Sequence, residues 1–166
     1  MPAEAPARRA YLCLGSNVGD RAEALGGARA RLDAAGVKIR AASSLYETPP
    51  WGPVPQGPYL NQVVEVASPM GPHALLDLAL GIERQLGRDR SREVRYGPRR
   101  IDIDILWFEG ETVAEEDLEI PHPRLMERAF VLVPLTEIAP DFAAFGVTAK
   151  AALAGLDVSG ISRIDI

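Results

Sequence analysis

The period of the apolar positions changes several times along this chain, and each change marks an element. Residues 10–14, Ala-Tyr-Leu-Cys-Leu, carry aromatic and aliphatic side chains as a strand does. Gly15-Ser16-Asn17-Val18-Gly19-Asp20 then breaks the pattern, and helical spacing follows to about Ala35, closed by Gly36. Val37, Ile39, Ala41 and Leu45 predict one extended segment that ends at Thr48-Pro49-Pro50. Between Pro49 and Pro58, five prolines and two glycines fall in ten residues. Proline fixes φ and lacks an N–H, so this is a stiff loop rather than a strand. Residues 60–67 resume strand character. Pro72 then opens a helical stripe of Leu75, Leu76, Leu78, Ala79, Ile82 and Leu86, ended by Gly87. Residues 101–108 alternate as a further strand, with Gly110 as its turn.

The resulting order is β-α-β-β-α-β. It predicts an α+β, ferredoxin-like antiparallel sheet with its two helices on one face. Helical pieces around residues 130–138 and 149–156 would be C-terminal additions, with Pro134 and Pro140 blurring their limits. Residues 1–9 read as a loose tail, and 10–166 as a single domain without internal repeats.

Composition narrows the picture. The 166 residues are 47% hydrophobic and 25% charged, ordinary for a domain that buries a full core. A net charge of −5 argues against general attraction to nucleic acid or to an anionic membrane. No stretch approaches the roughly 20 apolar residues that span a bilayer. The single cysteine, Cys13, lies in an apolar run, which excludes an internal disulfide and fits a reducing cytoplasm.

Against that background three segments stand out. Asp102 and Asp104 are two apart on a strand, so both leave one face, with Cα atoms roughly 6.6–6.8 Å apart, while Ile101, Ile103 and Ile105 enter the other. Aspartate is disfavoured in strands, and two like charges side by side call for a cation. Paired carboxylates can bridge two hard cations about 3.5–4 Å apart, the usual clamp for phosphoryl displacement. Magnesium suits a site so sparse in protein ligands, because it takes the rest from water and substrate phosphates. The loop just before, residues 88–100, holds six arginines in thirteen residues. Guanidinium forks match phosphate oxygens, and flanking Gly87 and Gly97 would let the loop close as a lid. The third segment joins the proline loop, with Thr48, Pro49 and Trp51, to Tyr59 and Asn61, which suit a flat heteroaromatic ligand that is stacked and read by hydrogen bonds.

Other features are weaker. Residues 15–20 sit between strand and helix as phosphate loops do, without the Walker lysine. His122 and His73 lack zinc-site spacing, and His73, near a helix start, reads as structural.

In order and spacing, Leu14-Gly15-Ser16-Asn17, Thr48-Pro49-Pro50, Tyr59-Leu60-Asn61, Gly97-Pro98-Arg99 with Asp102-Ile103-Asp104-Ile105, and Ile120-Pro121-His122-Pro123-Arg124-Leu125 resemble the 6-hydroxymethyl-7,8-dihydropterin pyrophosphokinase family over about residues 10–142. The resemblance implies a monomer that transfers the β,γ-pyrophosphoryl group of MgATP to a pterin alcohol, releasing AMP. By position it implies that Asp102 and Asp104 hold two Mg²⁺ and that Arg88 and Arg99 brace the phosphates. Tyr59 and Phe130 would sandwich the pterin, with Asn61, Thr48, Pro49 and Trp51 around it. ATP would meet Glu83, Ile105, His122, Arg128 and either Arg90 or Arg92, the lid loop being a residue or two longer than is common. Tyr96 stands where the family often has Trp. Two other readings are another two-metal phosphoryl or nucleotidyl transferase, and a non-enzymatic ferredoxin-like binding module.

Overall fold

Strand β1 (Arg8–Ser16) runs through the middle of the sheet and is buried along almost its whole length. The computed structural model describes residues 6–50, 52–95 and 97–165; Trp51 and Tyr96 lie outside them. Arg8 and Arg9, expected in the tail, belong to β1, and Arg8 pairs with Glu111 at 2.8 Å.

Helix α1 (Arg21–Ala34) starts where the Asp20 side chain accepts the Glu23 N–H, a cap contributing about 1 kcal/mol, and stops where Gly36 takes φ +89°. The extended segment expected at 37–48 is two strands, β2 (Lys38–Ala42) and β3 (Leu45–Thr48), both antiparallel to β4 (Tyr59–Ser68). The break is made by serine: Val63 N–H donates to Ser43 Oγ at 3.1 Å, and Glu137 accepts the Ser44 N–H. Helix α2 (Pro72–Gln85) has proline in its first turn, where a missing N–H costs nothing. Strand β5 (Asp102–Phe108) pairs with β1 on the side opposite β4.

After β5 come a short hairpin, β6 (Val113–Ala114) and β7 (Glu119–Ile120), then α3 (Ala129–Ile138), a second short hairpin, β8 (Ala143–Ala144) and β9 (Val147–Thr148), and α4 (Ala149–Ala154). Strand β10 (Ser162–Ile164), unforeseen in the sequence, adds to β3. The main sheet is therefore ordered β10-β3-β4-β1-β5, with β2 also on β4, and its pairings are antiparallel. This is a mixed α/β architecture with a mainly antiparallel sheet and, among the described residues, four helices.

The helices do not keep to one face. Leu12, Leu14, Val64, Ile103, Ile105 and Phe108 pack with Leu25, Leu32, Leu75 and Ile82 of α1 and α2. Tyr11, Cys13, Val63 and Leu106 form a second core with Val131, Leu132 and Leu135 of α3 and Ala149 of α4. The register of β5 on β1 shifts between Tyr11 and Leu12, and this irregularity lets consecutive Leu106 and Trp107 both join the second core. Helix α3 has a mostly apolar sequence, as a helix wedged between a sheet and α4 must.

Candidate active site

The second core covers only part of its face, and the uncovered end of the sheet carries the chemistry. Residues directly opposite on neighbouring strands share a face. The register aligns Asp102 with Gly15 and Gly15 with Asn61 in one row, and Asp104 with Cys13 in the next. Thr48 opposes Tyr59 just beyond the end of β1. Asn61 Nδ2 donates to Thr48 Oγ1 at 2.6 Å, and both side chains are buried. Gly15 is what makes room for them: a Cβ there would lie 2.7 Å from Asn61 Oδ1 and 3.4 Å from the Tyr59 ring. Pro49, Phe130, Arg99 and Arg128 complete a cleft around these residues. Of the expected flat-ligand set, Thr48, Pro49, Tyr59, Asn61 and Phe130 thus come together; Trp51 is outside the described residues.

The floor of the cleft is electrostatically strained. Burial, and then the Asp102 charge, push the Asp104 carboxyl up to about 7. Burial and both aspartates raise Cys13 well above its ordinary value, so it is an inert thiol. Burial, reinforced by Asp102, raises Tyr59 to about 12 and keeps its phenol protonated. Among the described residues no group of three or more His, Cys, Asp or Glu forms a ready-made metal cage. The donors present are two carboxylates on one face, one of them raised by burial and by the charge of the other. That set fits a hard divalent cation that draws its remaining ligands from water or substrate.

The arginine loop is organised by carboxylates of its own chain. Arg88 is buried. It donates to both Glu93 oxygens (Nε–Oε2 2.6 Å, Nη2–Oε1 2.9 Å), to Asp102 Oδ1 at 3.0 Å and to the Ile101 carbonyl at 3.2 Å. Its Nη1 also lies 3.0 Å from Glu83 Oε2. Arg99 Nη1 donates to the Gly97 carbonyl at 2.8 Å, while its Nε lies 3.4 Å from Glu93 Oε1. One carboxylate, Glu93, therefore faces both arginines expected to brace phosphates. Glu83 is 1% exposed and accepts from Arg90 Nη2 at 2.7 Å and from the Ile103 N–H at 2.9 Å. It ties the loop to β5. Arg92, the alternative to Arg90, is exposed and pairs with Asp89.

Behind Asp104 lies a second recess, lined by Leu76, Leu80, Arg90, Ile105, Leu118 and His122. Asp104 lines both spaces. The Arg124 N–H donates to His122 Nδ1 at 3.1 Å, which places the proton of a neutral ring on Nε2. Burial, and next Arg128, lower His122 to about 4, so it offers an N–H donor without a full charge.

Sequence reasoning passed over Gly15 as a steric requirement and Glu93 as a partner. A glycine inside a strand run was the available signal for the first; the second depends on a loop fold that spacing does not encode.

Fold and site together define a class: a small mixed α/β protein holding a carboxylate pair between two ligand-sized recesses. The chain matches the family 7,8-dihydro-6-hydroxymethylpterin-pyrophosphokinase (HPPK) over residues 11–140. The 2-amino-4-hydroxy-6-hydroxymethyldihydropteridine pyrophosphokinase of Methylorubrum extorquens is 52% identical over 158 residues, 95% of this chain and 99% of the relative. That of Bacillus subtilis is 49% identical over 130 residues, 78% and 77% of the two chains. The solved Plasmodium falciparum HPPK-DHPS wild type with pterin and p-hydroxybenzoate superposes with a TM-score of 0.74 at 17% identity, covering 100% of this chain and 46% of that one. The chain so spans about half the length of that solved protein, and the likeness supports the fold alone. This chain belongs to the HPPK family.

Proposed function

We propose that this protein transfers the β,γ-pyrophosphoryl group of ATP to the hydroxymethyl oxygen of 6-hydroxymethyl-7,8-dihydropterin, a step of folate biosynthesis. The observation that carries the reading is the position of Asp102 and Asp104: Asp104 borders both the flat-ligand cleft and the recess behind it. The pterin lies against Tyr59 and Phe130, with its ring edge on Asn61 and Thr48. The Asn61–Thr48 hydrogen bond holds the amide ready, so little entropy is lost on binding.

ATP occupies the second recess, its base side against Ile105 and its phosphates toward Arg99, Arg128 and the His122 Nε2–H. The phosphates take the place of Glu93 on the arginines. Asp102 and Asp104 would hold two Mg²⁺, which supply neutralisation of phosphate charge when bound. The pterin oxygen forms a bond to the β-phosphorus, the bond from that phosphorus to the α,β-bridging oxygen breaks, AMP departs, and the alcohol proton passes to solvent. Positioning and electrostatic stabilisation lower most of the barrier in such transfers.

The pairing order and two-helix first face support a ferredoxin-like core, to which α3, α4 and β10 are additions. The same reading makes the protein a single-domain cytoplasmic monomer without nucleic-acid or membrane partners. Among the described residues no helix is long and apolar enough to cross a membrane. Incubation with ATP, Mg²⁺ and the pterin tests the activity. AMP formation with the pterin diphosphate is expected; ADP would mean a single-phosphoryl kinase and sink the proposal.

A further inference from the structure

Asn17 stands outside the lining of both recesses, yet it joins two segments that wall the flat-ligand cleft. Its backbone N–H donates to the Arg99 carbonyl at 3.0 Å, and the Arg99 N–H donates back to Asn17 Oδ1 at 2.8 Å. Its Nδ2 donates to Gln56 Oε1 at 2.7 Å and to the Gly57 carbonyl at 3.0 Å. The amide orientation follows from its partners, because a flipped group would set two donors against the Arg99 N–H. One side chain thus spends its oxygen on the segment that carries Arg99 into β5 and its nitrogen on the proline loop that delivers Tyr59 and Asn61. Tyr59 Oη also reaches across to the Gly97 carbonyl, at 3.4 Å a longer bond.

We infer that Asn17 is a positioning residue that sets the flat-ligand loop and the Arg99 segment at a fixed separation, so that the two substrates meet in register across Asp104. The inference rests on the proposed transfer, where a misplacement of about 1 Å can cost a hundredfold in rate. Its two sides separate chemically. Asn17→Asp keeps the acceptor for the Arg99 N–H but turns a carboxylate oxygen toward the Gly57 carbonyl, breaking only the proline-loop side. Asn17→Ala breaks both.

The test combines steady-state kinetics with hydrogen exchange at the Arg99 amide. Asn17→Asp should raise KM for the pterin about tenfold, the equivalent of one hydrogen bond, with KM for ATP within about twofold and the Arg99 amide still protected. Asn17→Ala should show the same pterin defect, a kcat lower by about tenfold or more, and fast exchange at Arg99. Both losses appearing only as reduced thermal stability, with unchanged kinetic constants per folded molecule, would overturn the inference. So would equal exchange at Arg99 in the two variants. If the wild type releases no AMP, the transfer reading fails by itself, and exchange at Arg99 together with pterin titration still decides whether Asn17 links the loops.

Discussion

The two recesses on either side of Asp104 are prepared in opposite ways. On the flat-ligand side the polar groups are built into the sheet: Thr48 and Asn61 are buried, bonded to each other, and given space by Gly15. On the other side the arginine that lines the recess, Arg90, is already held by Glu83, and in the same loop Arg88 and Arg99, the latter also bordering the first cleft, share Glu93. Among the described residues of their loop, Val94 is 62% exposed and the regular structure is a single 3-10 turn, Arg90–Arg92. A ligand entering the first space meets a rigid template. One entering the second must exchange partners, which ties its binding to movement of the loop.

The sharpest test of the boundary between these regions is Asp102→Asn or Asp104→Asn. Each should lower turnover by two to three orders of magnitude, on the scale of lost electrostatic stabilisation, while pterin titration stays near normal. Without divalent cations the melting temperature of Asp104→Asn should stay level or rise by a few degrees, since a like-charge neighbour has gone, whereas Asp102→Asn also gives up the charge paired with buried Arg88 and should not gain. Near-normal turnover would return the pair to a solvated strand face.

Next in size is Gly15→Ala, which attacks the template alone. Its methyl group must displace Asn61 from Thr48, so pterin affinity should fall about tenfold or more while ATP affinity changes by less than about twofold. Equal loss of both ligands would show that the two sides are not independent.

Glu93→Gln attacks the other side. Removing the charge that occupies Arg88 and Arg99 should tighten ATP, or pyrophosphate alone, about threefold to tenfold, and speed tryptic cleavage in residues 88–100 of the free protein. Weaker ATP binding would mean that Glu93 assists the phosphates rather than standing in for them.

The smallest effect belongs to His73 and Glu115, which pair at 2.6 Å on the surface between α2 and the hairpin at the mouth of the second recess. The hydrogen bond to Glu115 raises the His73 pKa. The stabilisation is therefore complete below the unfolded pKa of about 6.5 and is lost as pH rises through the higher folded value. His73→Ala should lower the melting temperature by about a degree at pH 5.5 and leave it unchanged at pH 9. A drop at pH 9 as large as at pH 5.5 would exclude the ion pair as its cause.

Much of this was legible in the sequence because it depends on local periodicity. The alternation around Asp102 and Asp104 gave their shared face, and Asp20, Gly36, Pro72 and Gly87 gave the limits of α1 and α2. What escaped was decided between distant residues. The break at Ser43–Ser44 depends on Val63 and on Glu137 of α3. The covering of the second face followed from residues past 124, where proline obscured the helices. The engagement of Arg88 with Glu93, five residues on, needed a loop geometry that a run of charges does not specify.

Strand β10 has a consequence for the molecule among its neighbours. Without it, β3 would present a row of unpaired N–H and C=O groups beside Leu45 and Tyr46, a template on which another chain could extend the sheet. With it, the outermost strand is three residues long and carries Ser162 and Arg163, with Asp165 next along the chain. At the opposite margin the His122 N–H already takes the Leu106 carbonyl of β5. The β3 flank is thus shortened and charged and the β5 flank partly occupied, features that blunt pairing by another strand at those two places.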